Sequence, residues 1–300
     1  MDGVIVIDKP QDFTSFDVVA VMRRLCGQKK IGHTGTLDPM ATGILPLLLG
    51  KATKAASLLD DTNKEYEAGF QLGYSTDTQD VTGKKLNESK VKVTMQQLEA
   101  VLPAFRGNIL QLPPMYSAVQ INGQRLYTLA RQGIEIERDA RPITIHQLTL
   151  IEFDENTQSG SMKIRCSKGT YIRTICADIG DRLGTFGVMA SLRRTAAAGF
   201  HLEDAVTLDE ARVLSAGGTL AKKVLPVEQL FLSHTALRVS PAQAQRFRNG
   251  GGLSLERTTI LPPCRKDGTV FRVQSPEGDF LGLGVVCLDK EELSLLQLFC

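Results

Sequence analysis

The stretch GHTGTLDPMATGILPLLLG, residues 32–50, constrains the fold more than any other part of the chain. Its first half makes neither a good helix nor a good strand. Gly32, Gly35 and Gly43 permit unusual dihedrals or close approach by another group. Pro39 pushes Asp38 out of the right-handed helical region. The second half is apolar and suits a buried strand, interrupted at Pro46. A loop fixed by a buried strand is therefore expected, with one carboxylate, Asp38, on it. An isolated Asp-Pro usually hydrogen-bonds its own turn. The chain holds a control, because Thr-Leu-Asp recurs at 207–209. There Thr207 and Glu210 form a capping box, and the helix dipole accounts for Asp209. Asp38 has no such local account and is a candidate functional carboxylate.

The 300 residues are 42% hydrophobic and 23% charged, ordinary globular values that allow a large domain with a smaller one. No run of about twenty apolar residues exists, so no transmembrane helix is expected. The start, MDGVIVIDKP, lacks a basic segment before its short apolar run, which argues against a signal peptide. None of the six cysteines forms C-x-x-C, and the four histidines lack ligand spacing, so no metal site is expected. Scattered thiols in apolar runs fit a reducing, cytoplasmic compartment. The net charge is only +2. Basic pairs occur at Arg23-Arg24, Lys29-Lys30, Lys84-Lys85, Arg193-Arg194 and Lys222-Lys223. Each alone reads as a solvated face; several converging on one cleft would make a phosphate track.

Along the chain, GVIVIDKP reads as a buried strand, and Ser15 is placed to cap a helix carrying Val18, Met22 and Leu25 on one face. KATKAASLL reads as a short helix. KEYEAGFQLG alternates, with Tyr66, Ala68, Phe70 and Leu72 on one side of a strand. Thr94 and Gln97 form a capping box for a helix to about Phe105. The segment from about 112 to 141 has paired prolines and an Asn-Gly turn signal. A surplus of basic residues between Arg106 and His146 goes with it, five Arg against two Glu and one Asp. It reads as a projecting insertion, and equally as an ordinary long surface excursion. MKIRCS alternates as a strand. Thr170 is placed to cap a helix lined by Ile172, Ile175, Ile179 and Leu183, with Arg173 off that face in its first turn. Beyond about residue 232, short β-like runs between Gly- and Pro-rich turns suggest a small barrel or open sheet.

Several long stretches together resemble one family: DKP (8–10), GHTGTLDPMATGILPLLLGKATK (32–54), KEYEAGFQLGYSTDTQDVTG (64–83), PPMYSAVQINGQRLYTLARQGIE (113–135), CSKGTYIRTICADIG (166–180) and SLRRT (191–195). The chain resembles bacterial TruB-type tRNA pseudouridine synthases over nearly its whole length. The resemblance implies an α+β fold, with a mixed, largely antiparallel sheet and flanking helices. It implies a catalytic domain over 1–232, whose insertion at about 112–141 clamps RNA, and a small β-barrel-like PUA-type RNA-binding domain over 233–300. The implied reaction isomerises a T-loop uridine of tRNA, at tRNA position 55, to pseudouridine. It needs no cofactor and no metal, and a monomer acting on the T-arm is expected.

The chemistry explains the lone carboxylate. The N1–C1′ bond breaks, the uracil turns over, and C5 joins C1′. The base must first leave its stack. A carboxylate beside C1′ and C2′ can act as nucleophile or base, or stabilise charge on the sugar. The resemblance assigns Asp38 this catalytic role. Three routes fit: a ribose-linked adduct, a glycal formed by C2′ deprotonation, and attack on the ring. The glycal route is preferred here. Arg173 is implied to hold Asp38 as an ion pair and keep it ionised. Tyr66 would stack on the flipped uracil and accept or relay the C5 proton, with a water possible because phenol is a poor base. His33 would contact the displaced backbone, Leu192 would line the apolar side of the pocket, and Tyr171 joins the substrate-binding set. Lys9 would brace the active-site loop or the Tyr66 strand.

Two other readings remain open at this stage. An aspartyl-nucleophile hydrolase would want a second carboxylate near Asp38 for Mg²⁺, and LDPMATG offers none. A non-catalytic RNA-binding or RNA-folding module would keep full function with Asn at position 38. The same grip on tRNA would also serve as a folding chaperone beside the chemistry.

Overall fold

A computed structural model describes residues 1–59 and 63–300. Its centre is a ten-stranded sheet in which antiparallel pairs dominate. Strand Gly3–Lys9 pairs with Thr42–Leu49 from Gly3 opposite Leu49 to Lys9 opposite Gly43. Thr42–Leu49 then meets Gly187–Ala197 in parallel, and Gly187–Ala197 meets Lys64–Leu72 antiparallel. Ser159–Cys166, Arg141–Asp154 and Gly107–Gln111 complete that side. The two parallel contacts, Gly3–Lys9 with Val206–Thr207 and Thr42–Leu49 with Gly187–Ala197, make the sheet mixed, as expected for this fold class.

Because the strands bury alternate residues, one face of the sheet carries two apolar clusters side by side, while Val4, Val6, Ile44 and Leu48 pack on the other face. Tyr66, Ala68, Phe70 and Leu72 pack with Met162, Ile164 and the Ile172, Ile175, Ile179 stripe of helix Ile172–Arg182. Ile5, Ile7, Leu45 and Leu47 pack with Val18 and Met22 of helix Ser15–Leu25. Strand Thr42–Leu49 passes through Pro46 without interruption, opposite Val6. Proline removes a single donor, and the Pro46 carbonyl still accepts from the Thr34 N–H at 3.1 Å. Residues 50–57 form a 3₁₀ helix rather than an α-helix.

Two caps differ from the sequence reading. The cap of helix Ser15–Leu25 is Thr14, which shares a capping box with Asp17. Ser15 is buried and its hydroxyl is used elsewhere, at Leu37. Helix Ile172–Arg182 starts after Tyr171 with no side-chain cap, because the Thr170 hydroxyl turns back to the Ser167 carbonyl at 3.0 Å. The capping boxes at Thr94 and Thr207 form as read.

Within 112–141, Gln120–Ile121 and Gln124–Arg125 make a small hairpin around Asn122-Gly123, followed by helix Leu126–Arg131. Arg125 and Arg131 both lie against the Tyr127 ring, and Arg138 pairs with Glu135 at 3.1 Å. These arginines therefore have partners before any RNA arrives. From Thr235 a second, five-stranded sheet curls around its own core of Leu237, Phe247, Val273, Leu281 and Leu293. Phe299 does not stay with that core: it packs with Phe231, Leu283, Ala55 and Leu59. The apolar tail thus ties the second sheet to the 3₁₀ helix that follows strand Thr42–Leu49, and cutting the chain near residue 230 would expose that cluster.

Candidate active site

The loop carrying Asp38 is held from three sides by groups far away in sequence. The Leu37 N–H donates to Ser15 Oγ at 2.8 Å, and the same hydroxyl donates to the Leu37 carbonyl at 3.3 Å. Lys9, fully buried, donates to the carbonyls of Phe13 (2.6 Å), Pro10 (2.9 Å) and Pro39 (3.2 Å). Of the two structures Lys9 was expected to brace, it is the loop. Burial pushes the Lys9 ammonium down to about 8, against the pull of the Asp12 and Asp38 charges. The three carbonyl acceptors also favour the charged form. Downstream, Gly43 takes a positive φ of 100°, and a Cβ there would collide with the Arg194 backbone, so only glycine lets these strands close up.

Arg173 meets the loop from the first turn of its helix. Its Nε lies 3.1 Å from Asp38 Oδ2, and its other two nitrogens are also used. Nη1 donates to the Thr78 carbonyl at 3.1 Å and Nη2 to the Tyr116 carbonyl at 2.9 Å. Asp80, itself buried, stands 3.8 Å from Nη1. Asp80 accepts from Thr78 Oγ1 and from the Thr82 N–H and hydroxyl, which fixes the 76–83 turn beneath the arginine. The guanidinium is thus held rigidly while Asp38 remains 39% exposed. An ordered cation beside a solvent-reachable carboxylate suits a group that must be ionised and still touch a substrate.

Tyr66 sits opposite both Ile164 and Arg194 in the sheet. Leu192 and Arg194 share its face, while Arg193 points to the other side and pairs with Asp8 at 2.7 Å. Tyr66 and Leu192 belong to one apolar cluster with Leu37 and Ala41, on either side of Asp38 in sequence. Burial pushes the Tyr66 phenol up to about 12, opposed by the Arg194 charge. His33 ends the short strand Ile31–His33. Its Nδ1 is buried without a partner, and burial plus the Arg194 charge lower its pKa, which favours the neutral imidazole.

The backbone of Tyr171 is clasped by Gln111, whose side chain accepts from the Tyr171 N–H at 2.8 Å and donates to its carbonyl at 3.1 Å. This fixes the start of the Arg173 helix against strand Gly107–Gln111. The structure therefore brings together Asp38, Arg173, Tyr66, Leu192 and Lys9, with His33 near Arg194 and Tyr171 at the helix entrance. Sequence reasoning missed Ser15 as a loop clamp, Asp80 and Gln111. It also took Arg194 for a member of a solvated basic pair, whereas that side chain is fully buried. The alternation in SLRR, which puts Arg194 on the face of Leu192, was the signal for it. No group of three or more His, Cys, Asp or Glu suited to a metal ion occurs among the described residues.

Two family models match the chain: the TruB family pseudouridylate synthase N-terminal domain over residues 23–172, and the tRNA pseudouridylate synthase B C-terminal domain over residues 173–232. The tRNA pseudouridine synthase B of Geobacillus thermodenitrificans (strain NG80-2) is 44% identical over 291 residues, 95% of each chain. That of Azoarcus sp. (strain BH72) is 48% identical over 250 residues, 83% of this chain and 82% of its own. A Cbf5-Nop10-Gar1 complex contains a chain of the same fold, with a TM-score of 0.76 at 24% identity, covering 99% of this chain and 84% of that one. With these matches running through the Asp38 loop, the Tyr66 strand and the Arg173 helix alike, the chain belongs to the TruB family of pseudouridylate synthases.

Proposed function

We propose that the protein isomerises a uridine of tRNA to pseudouridine, at position 55 in the T-loop, with Asp38 as the catalytic carboxylate. The observation that carries the assignment is the Asp38–Arg173 contact at 3.1 Å, made by a buried, fully bonded arginine to a carboxylate left open to solvent. In this reading the flipped base rests against Tyr66 and Leu192. Asp38 then reaches C1′ and C2′. The N1–C1′ bond breaks, and in the glycal route Asp38 takes the C2′ proton and returns it to C2′ as C5 joins C1′. The C5 proton leaves towards the Tyr66 oxygen, directly or through water. His33, as a neutral imidazole, contacts the backbone of the displaced nucleotide, and Tyr171 contributes at the pocket rim. No step needs a redox partner or a group donor.

The same reading divides the chain into a catalytic part, 1–232, and a PUA-type RNA-binding part, 233–300, with 112–141 laid on the T-arm. Tyr127 between Arg125 and Arg131 gives that insertion an aromatic and cationic surface suited to RNA. A cytoplasmic location follows from a tRNA substrate. Among the described residues, no helix is long and apolar enough to cross a membrane. The test is direct: purified protein is incubated with unmodified tRNA transcript, and pseudouridine is mapped by chemical modification. Conversion at position 55, resistant to EDTA, is the expected result. A transcript left unmodified would remove the assignment.

A further inference from the structure

Arg194 poses a separate problem. It is fully buried, and among the described residues no carboxylate pairs with it. Two of its nitrogens tie the site together: Nε donates to the Ile44 carbonyl at 2.8 Å and Nη2 to the Gly35 carbonyl at 3.2 Å. The third, Nη1, is buried with no acceptor in good geometry. Lys64 is a second cation close by, and burial and the Arg194 charge together lower its pKa. A buried charge without a counter-ion is expensive, and so is a buried donor without an acceptor. Holding the Gly35 loop uses only Nε and Nη2, so that role leaves Nη1 and the charge unexplained. The acidic group within its reach is the Tyr66 hydroxyl, directly opposite in register.

We propose that Arg194 is a positioning residue for the isomerisation, its unpaired Nη1 and its charge aimed at the Tyr66 oxygen so that this oxygen can carry the negative charge needed to take the C5 proton. The inference rests on the proton role proposed for Tyr66 above. The phenol first releases its own proton to water. The phenolate then takes the proton from C5, the C–H electron pair returns to the uracil ring, and the phenol is restored. In the resting state Nη1 faces a neutral phenol oxygen, a weak acceptor outside good geometry; during proton transfer that oxygen carries the charge and the contact becomes charge-assisted. Burial is the largest influence opposing ionisation of Tyr66, and the guanidinium offsets part of it, leaving the phenol raised to about 12.

The test is a double-mutant cycle on the full chain, read as single-turnover rates at saturating unmodified tRNA transcript, with tRNA affinity measured separately. Arg194→Gln is expected to slow the rate about a hundredfold, the scale of one acid–base contribution, with affinity changed less than about threefold. Arg194→Lys keeps the charge but cannot also hold the Ile44 and Gly35 carbonyls, and is expected to recover only part of that loss. In a Tyr66→Phe background, Arg194→Gln is expected to add nothing, because both act on one proton transfer. Full independence of the two losses, or an unchanged rate in Arg194→Gln, overturns the proposal. A Tyr66→Phe enzyme at wild-type rate would instead remove the role of Tyr66 itself. If Arg194→Gln does not fold, nitrogen NMR of the arginine side chains in Tyr66→Phe decides: a shifted Arg194 signal supports the contact, and an unmoved one refutes it.

Discussion

Thr36-Leu37-Asp38 and Thr207-Leu208-Asp209 are the same three residues placed in opposite circumstances. The leucine is buried in both. Around the second, the side-chain hydrogen bonds and the ion pair are local, although Val206–Thr207 also pairs with strand Gly3–Lys9. Thr207 accepts from the Glu210 N–H, Glu210 answers at the Thr207 N–H, and Asp209 pairs with Arg212 on the surface. Around the first, the side chains that hold it are distant, and the one local bond is the turn from the Ala41 N–H to the Asp38 carbonyl. Leu37 is held by Ser15, Asp38 by Arg173, and the carbonyl of Pro39 by Lys9. A local motif fixes a helix and leaves its carboxylate in water, where it does little. A position fixed by several remote groups has its carboxylate aimed by the whole fold, which is what chemistry at one atom requires.

The sharpest way to break this comparison is to neutralise both carboxylates. Asp38→Asn should lower the single-turnover rate by at least about a thousandfold, with tRNA affinity within about threefold, because phosphate contacts dominate binding. Asp209→Asn should leave rate and affinity alone. Comparable losses in the two variants, in a pseudouridine-release assay, would show that the surroundings of Asp38 confer nothing special.

Changing the remote partner comes next. Arg173 serves Asp38 through Nε while Nη1 and Nη2 are committed to Thr78 and Tyr116. Lysine offers one ammonium and cannot make three contacts in fixed directions. Arg173→Lys is expected to slow turnover about a hundredfold, the usual cost of misplacing a reacting group by about an ångström. Its counterpart, Arg212→Lys, should be silent.

The contrast also explains what was legible in the sequence. The strands with Tyr66 and Met162, the helix with Ile175 and Ile179, and the capping boxes at Thr94 and Thr207 all rest on neighbours within a few residues, so periodicity and cap chemistry report them. Asp38 stood out because no local motif accounts for it, but its role, and those of Arg173, Tyr66 and Leu192, were legible only through resemblance, since nothing in their own neighbourhoods demands them. Ser15, Asp80, Gln111 and Arg194 were invisible as functional residues. Ser15 looked like a cap because serine next to a helix start usually is one. Arg194 looked like half of a solvated pair because its burial comes from the pairing of Gly187–Ala197 with Lys64–Leu72, a long-range fact. Pro46 misled in the other direction, since one lost donor does not end a strand held on both sides.

Ser15→Ala sharpens the comparison at intermediate size. It removes both hydrogen bonds to Leu37 and leaves a buried N–H and carbonyl unpaired. A loss of about 2 kcal/mol in urea unfolding is expected, together with a fall in rate of about tenfold as the Asp38 loop loosens. A stability loss without any effect on rate would mean that Lys9 and Arg173 alone keep Asp38 in register.

The smallest effect belongs to the local copy. Thr207→Ala removes the side-chain acceptor for the Glu210 N–H and the donor to its carboxylate, both exposed to water. Loss of such a cap costs about 1 kcal/mol, which in a chain of this size is a fall of roughly 2 °C in Tm. Helix Leu208–Ala216 contacts strand Gly3–Lys9 and helix Ser15–Leu25, so the cost is felt in the same layer that carries Lys9 and Ser15. Even so, the rate should stay within about twofold. Fraying is confined to the first turn of that helix, and none of its residues touches Asp38, Arg173 or Tyr66. Thermal melts and single-turnover assays on the same preparation check both halves. If Thr207→Ala slowed the chemistry as much as Ser15→Ala does, the division between a carboxylate aimed by the fold and one left by a local cap would fail, because the two copies of Thr-Leu-Asp would then be coupled through the shared layer.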